Sequence, residues 1–214
     1  MLALAWLAFA LALAGPRLAE TEYELGTAQY PELMVVLDVS HSMTARDVEP
    51  SRLERARLEL HDLIARADKL KIGVVVYAGR PHLLTPPTDD KNVLRHYLPV
   101  VRAGLLPTEG SNLADAIGFA ARQFGSDSPP RAVLLITDGE APADAATTTR
   151  LEEAVTRLSQ QGVALYALGI GTVDGAPLSA PQGGWLRHEN AAVVSVLHEE
   201  RLQRLAMLGN GRYA

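Results

Sequence analysis

The chain has 214 residues, a formal net charge of −5 and no cysteine. That length suits one domain with at most an appendage, and the missing cysteines exclude disulfides, zinc–thiolate centres and thiol nucleophiles. With 48% hydrophobic and 21% charged residues a packed core is expected, while the negative balance and the lack of a basic stripe argue against nucleic acid as a partner.

Met1 to Ala14 is apolar throughout and is followed by Gly15-Pro16-Arg17. A bilayer-spanning helix needs about 20 residues, so the segment is short, and no basic stretch precedes it as in a secretory signal. An anchor and a cleavable signal both remain open for residues 1–15. Either brings the chain to a membrane, because the segment has no polar face for a soluble helix. Residues 16–30 are mixed and polar, a linker or a lead-in strand. The folded domain is expected over 31–214.

Leu33 to Asp38 opens that domain with five consecutive apolar residues, the pattern of a strand buried on both faces. Ser51 to Asp68 has helical spacing (Leu53, Ala56, Leu60, Ile64), with Pro50-Ser51 as its start signal. Lys71 to Ala78 is a second buried strand, His82 to Thr85 a short one before Pro86-Pro87, and Asp89 to Val101 a short helix. Ser111 to Phe124 places Leu113, Ala116, Ile117, Ala120 and Phe124 on one helical face. Arg131 to Thr137 and Val163 to Ile170 are further buried strands, separated by an amphipathic helix from Thr147 to Gln161 that Gly162 closes. Thr172 to Val196 is rich in Gly and Pro and reads as a hairpin insertion. His198 to Leu208 is helical up to Gly209, and Arg212 to Ala214 begins a last strand. Strands alternating with helices, with continuous apolar runs, predict an α/β fold: a mostly parallel central sheet with helices on both faces.

Two acidic motifs fall at strand ends. The first strand breaks into Asp38-Val39-Ser40-His41-Ser42, which sets a carboxylate and two hydroxyls at alternate positions. A turn there gathers the three around one point. The fourth strand ends in Thr137-Asp138-Gly139, and Gly110-Ser111 opens the helix between. In such sheets ligands bind beyond the carboxyl ends of the strands. Asp38, Ser40, Ser42, Ser111 and Asp138 therefore offer an all-oxygen set, suited to a hard cation: Mg2+ first, then Mn2+ or Ca2+. Mg2+ takes about six oxygens, so this set leaves room for an outside ligand, an Asp or Glu of a protein partner. The competing reading is that Asp38, Ser40 and Ser42 only cap the segment that follows.

With these motifs in order, the chain resembles the von Willebrand factor A (vWA) family, whose fold is Rossmann-like and whose metal-ion-dependent adhesion site (MIDAS) reads Asp-x-Ser-x-Ser, a middle-loop Thr and a later Asp. Asp38, Ser40, Ser42 and Asp138 match. At the middle position Ser111 keeps the hydroxyl, with Thr108 as the rival. The resemblance implies a non-enzymatic, metal-dependent protein-binding module. Ala45-Arg46-Asp47-Val48-Glu49-Pro50-Ser51-Arg52-Leu53, Leu83-Leu84-Thr85-Pro86 and Gly211-Arg212-Tyr213 are similar to the bacterial aerotolerance (Bat) type of membrane-anchored vWA protein. That likeness implies complex assembly or chaperone work at the bacterial inner membrane with a MoxR-type AAA+ ATPase and other membrane vWA proteins. It also implies a further helix and a second membrane span after Ala214.

The rival class is a metal-dependent phosphohydrolase of the haloacid dehalogenase type, which also starts with a strand ending in Asp. It needs a second Asp two residues on, where this chain has Ser40. No Gly-x-Ser-x-Gly and no phosphate-binding glycine loop is present. His41 reads as a spacer turned away from the site. Asp47 and Glu49 read as turn residues before the helix, Asp115 as part of a solvated helix face, and Trp185 as a cover for the sheet edge.

Overall fold

The computed structural model describes residues 30–125, 130–180 and 182–214. The expected anchor or signal over 1–15 and, apart from its last residue, the expected linker over 16–30 lie outside the described residues. Among those described, no helix is long and apolar enough to cross a membrane.

Five strands form the central sheet: β1 (Glu32–Asp38), β2 (Lys71–Tyr77), β3 (Pro81–Thr88), β4 (Arg131–Thr137) and β5 (Val163–Gly169), in the order β3-β2-β1-β4-β5. Every pairing is parallel except β2 with β3. Among the described residues, five α-helices pack on the sheet: α1 (Arg52–Arg66), α2 (Lys91–Tyr97), α3 (Leu113–Ala121), α4 (Ala145–Gln160) and α5 (Glu199–Leu208). Strands β1, β2 and β4 bury both faces, so the core has two layers. Met34 and Val36 point with Val75, Val133 and Leu135 toward Leu113, Ile117, Val155 and Leu202 of α3, α4 and α5. Val35 and Leu37 point with Val74 and Val76 toward Leu53, Leu60, Ile64 and Leu94 of α1 and α2. This alternation of side chains puts Asp38 on the α3 side.

All the described α-helices but α5 start on capping side chains. Ser51 Oγ accepts from Glu54 N–H, Asn112 from Asp115 N–H and Asp144 from Thr147 N–H; each satisfies one of the orphan donors of a first turn. The predicted elements agree with the observed ones to within a few residues, and two differences have causes. The expected helix over 89–101 divides, because Pro99 lies in a tight 3-10 turn (Leu98–Val100) after α2. Strand β3 runs through Pro86 and Pro87 to Thr88. It is an edge strand, where a residue without N–H loses no ladder bond. Opposite it the ladder shifts register around Gly73. A Cβ there would sit 2.9 Å from Pro87 N and 2.4 Å from Met34 Sδ, so only glycine admits that approach.

Residues 172–196 form the expected insertion, as two nested antiparallel ribbons: β6 (Ala176–Pro177) with β9 (Val194–Ser195), and β7 (Arg187–His188) with β8 (Ala191–Ala192). The tip, Glu189-Asn190, has both residues at positive φ, 49° and 65°, which is the two-residue hairpin geometry matched to strand twist. Trp185, expected to cover the sheet edge, instead remains 53% exposed and bridges to Ser179 within the insertion. Arg212 to Ala214 does pair parallel with β5, through Ala167 N to Arg212 O and Ala214 N to Ala167 O, both 3.0 Å.

Candidate metal centre at the carboxyl ends of the strands

Strands β1 and β4 are neighbours, so their carboxyl ends bring Asp38 and Asp138 together; both are fully buried. Beyond Asp38 the chain turns into a short 3-10 helix (His41–Thr44). Asp38 Oδ1 accepts from Ser40 N–H at 2.9 Å, and the Ser40 and Ser42 hydroxyls lie 3.0 Å apart. The loop before α3 brings in Ser111. Ser40, Ser42 and Ser111 line one pocket of about 370 Å3, together with Glu109, Glu140 and, from the insertion, Leu178, Leu186 and Val193. A larger cleft, about 930 Å3, lies elsewhere along α3 and α4 and is lined by none of Asp38, Ser40, Ser42, Ser111 and Asp138.

The carboxylates are held by residues that the sequence did not single out. Asp38 Oδ2 accepts from the Tyr77 and Thr137 hydroxyls, both at 2.7 Å. The register pairs Asp38 directly with Tyr77, and two polar residues ending adjacent strands were the available signal. Burial first, and the Asp138 charge second, push the Asp38 pKa up from 3.8 to about 6, against the hydrogen bonds from Ser40 and Thr137. Asp138 accepts from Glu140 N–H at 2.9 Å and from Arg52 Nη1 at 2.8 Å.

Arg52, the first residue of α1, is wholly buried. Its Nε and Nη2 form a fork on Asp47 at 2.9 and 2.7 Å, and Nη1 reaches Asp138 and Ser195 Oγ, each at 2.8 Å. Burial opposes the charge on Arg52, but Asp47 and Asp138 outweigh it and hold its pKa above the usual value. Burial likewise opposes ionisation of Asp47; the Arg52 fork and Thr172 outweigh that and keep its carboxyl below the usual range. Asp47 thus joins α1 to the insertion rather than merely serving a turn. Gly171, at φ +133°, leaves space for the guanidinium: a Cβ there would lie 2.7 Å from Arg52 Nε. Arg52 shares the α1 face with Ala56 and Leu60, a spacing that could have marked it as buried and in need of carboxylates.

Fit to a cation can be judged from the donors. All are oxygens, as a hard divalent ion requires. Asp38 Oδ1 accepts from Ser40 N–H, Asp138 Oδ1 from Glu140 N–H and Asp138 Oδ2 from Arg52, and a carboxylate oxygen can accept two bonds. The Ser111 Oγ is buried without a hydrogen-bond partner, which is costly unless something binds it. Thr108 Oγ1 is also buried and unpartnered but does not line the pocket. The Arg52 guanidinium is shared by Asp47 and Asp138, while Asp38 is bonded by the neutral donors Ser40 N–H, Tyr77 and Thr137. The residues fit a divalent ion in charge and in chemistry. His41, expected to turn away, is exposed at the rim of this pocket and lines it, its Nε2 lying 2.9 Å from Ser179 O in the insertion, and Asp115 sits on the exposed face of α3 near Arg150.

This sheet order, with Asp and Ser residues gathered at its carboxyl rim, defines a vWA domain. Residues 33–140 match the von Willebrand factor type A domain, and the chain belongs to that family. Two solved structures are of the Bat type. An aerotolerance-related membrane protein from Bacteroides fragilis NCTC 9343, with multiple mutations to serines, is 34% identical; the match covers 85% of this chain and 89% of that one, with a TM-score of 0.78. The conserved hypothetical protein BatB from Bacteroides thetaiotaomicron is 32% identical over 86% of this chain and 88% of its own, also with a TM-score of 0.78. A UPF0353 protein of Mycolicibacterium paratuberculosis (strain ATCC BAA-968 / K-10) is 26% identical over 187 residues, 84% of this chain and 54% of its own length. The chain spans about half the length of the curated relatives it matches.

Proposed function

We propose that the chain is a non-enzymatic binding module in which Asp38, Ser40, Ser42, Ser111 and Asp138 hold one Mg2+, with Mn2+ or Ca2+ as substitutes. The observation that carries this reading is the convergence of three hydroxyls on one pocket, with Asp38 and Asp138 buried at the adjoining strand ends and Ser111 Oγ unpartnered. The bound ion supplies an open coordination position for a carboxylate of a protein partner. Around it the chain's own groups do the positioning. Ser40 N–H, Tyr77 and Thr137 fix Asp38, and Arg52 with Glu140 N–H fixes Asp138. Ser40 Oγ lies against Ser42 Oγ, and a hydroxyl there offers no general acid for phosphohydrolase chemistry.

The likeness to an aerotolerance-related membrane protein supports a role at a bacterial membrane, reached through residues 1–15, in complex assembly or chaperone work with a MoxR-type AAA+ ATPase and other membrane vWA proteins. Affinity capture from detergent extract, with Mg2+ and with excess EDTA, tests the reading. The partner should be retained only with Mg2+, and replacing one partner carboxylate by its amide should release it. Retention undiminished in EDTA would reduce the contact to an ordinary surface interface.

A further inference from the structure

The pocket at the strand ends has two chemically different parts. Ser40, Ser42 and Ser111 make one; Leu178, Leu186 and Val193, all from the insertion, make the other. A hydrated cation does not need the second part. At about 370 Å3 the space falls within the range of ligand pockets, about 300–1,000 Å3. It would hold on the order of ten waters at ~30 Å3 each, more than an ion and one carboxylate require.

The apolar part is preorganised. The backbones of its three residues bond in a closed cycle: Leu186 N to Leu178 O at 2.7 Å, Val193 N to Leu186 O at 2.8 Å, and Leu178 N to Val193 O at 2.9 Å. The cycle is fastened to the metal loop at two places. His41 Nε2 lies 2.9 Å from Ser179 O, and Arg52, which holds Asp138, also donates to Ser195 O at 2.9 Å. Leu178 is buried in the insertion, while Leu186 and Val193 remain partly open. An open apolar surface fixed beside a polar site favours a ligand with both characters. His41, Gly110, Glu109 and Glu140 complete the lining, and the charge of the two glutamates disfavours a second acid.

We infer that the pocket recognises a protein segment in which a single carboxylate stands next to a large aliphatic side chain, the carboxylate going to the hydroxyl part and the aliphatic group to Leu186 and Val193. This rests on the metal reading and adds what the metal alone does not select: the residue beside the acid, and the absence of a second acid.

A series of simple acids tests it on the full 214-residue chain. Acetate, propionate, butyrate and pentanoate are titrated by NMR in millimolar Mg2+ and again in EDTA. Burying each added methylene should raise affinity about threefold to fourfold, so pentanoate should bind about 30-fold tighter than acetate. Succinate should bind more weakly than butyrate. Leu186→Ala should flatten the series while leaving Mg2+ and acetate affinity unchanged, and Leu186→Met, close in volume, should preserve it. Mg2+-dependent acetate binding with no gain along the series overturns the inference and leaves the metal reading intact. Mg2+ binding without binding of any acid, or no Mg2+ binding at all, overturns both. A gain that persists in EDTA, or succinate binding better than butyrate, overturns the inference, as does Mg2+-induced dimerisation that blocks the acids, which would put a second copy of the chain in the pocket.

Discussion

Replacing Asp38 by asparagine separates a metal-holding carboxylate from a structural one. Asp38 is fully buried, and burial with the Asp138 charge raises its pKa from 3.8 to about 6. A carboxyl with a raised pKa holds its proton more tightly in the folded chain than in the unfolded one. Its contribution therefore favours the folded state at low pH, falls away as pH rises from about 4 to about 6 and is fully lost above that. At ~1.4 kcal/mol per pKa unit, ionised Asp38 costs the metal-free chain about 3 kcal/mol at neutral pH. Asparagine removes the charge and keeps the shape. Its amide must then face either Ser40 N–H or the hydroxyls of Tyr77 and Thr137, all of which donate to Asp38. That mismatch costs about 1–3 kcal/mol. The metal-free variant should thus be as stable as the parent or up to ~2 kcal/mol more so, and at this size 1 kcal/mol moves Tm by about 2–4 °C. Mg2+ at 100 times its Kd should stabilise the parent by about 2.7 kcal/mol, a rise of roughly 5–11 °C, and should leave the variant unmoved. Thermal melts at neutral pH in EDTA and in millimolar Mg2+ read all four values. A parent indifferent to Mg2+, Mn2+ and Ca2+, with a variant about 1 kcal/mol weaker as for a lost cap, would refute the reasoning.

Three further outcomes follow from the same geometry. Ser111→Ala should weaken Mg2+ binding about tenfold, or ~1.4 kcal/mol, measured by calorimetry, whereas Thr108→Ala should leave it unchanged. Arg52→Met strands Asp47 and Asp138 without their cation and should lower stability by about 3–5 kcal/mol, read from urea unfolding; Arg52→Lys should recover only part, since the fork on Asp47 is lost. Asp47 has a depressed pKa, so its stabilisation is present above the unfolded value near 3.9 and is lost as pH falls through the lower folded value. Asp47→Asn should therefore be less stable than the parent at pH 7, with the gap closing below about pH 4 when unfolding is followed against pH.

The sheet and most of its helices were legible because the central strands β1, β2 and β4 are buried on both faces and read as continuous apolar runs, and because Ser51 and Gly162 mark their helix ends. The positions of Asp38 and Asp138 were legible for the same reason: a carboxylate ending a buried strand must lie at the rim. What holds them was not. Tyr77 meets Asp38 only through the β1–β2 register, and Arg52 meets Asp138 across 86 positions of sequence, neither of which local spacing can set. The insertion was visible only as a Gly- and Pro-rich stretch, because its strands are two residues long and its tip uses Glu189-Asn190 rather than a glycine turn. That it would line the pocket depended on the His41 and Arg52 contacts, which are tertiary.

The two margins of the sheet bear on how copies of this protein tolerate crowding. An open sheet edge is a template on which another chain can add a strand and so seed aggregation. In β3, Pro81, Pro86 and Pro87 have no amide hydrogen to offer, so a neighbouring strand cannot zip along its length. At the opposite side, the segment ending in Arg212 to Ala214 lies along β5 and takes up its amides at Ala167 and Gly169. With prolines along one margin and a three-residue segment laid along the other, little strand backbone is left on which a neighbouring chain can zip.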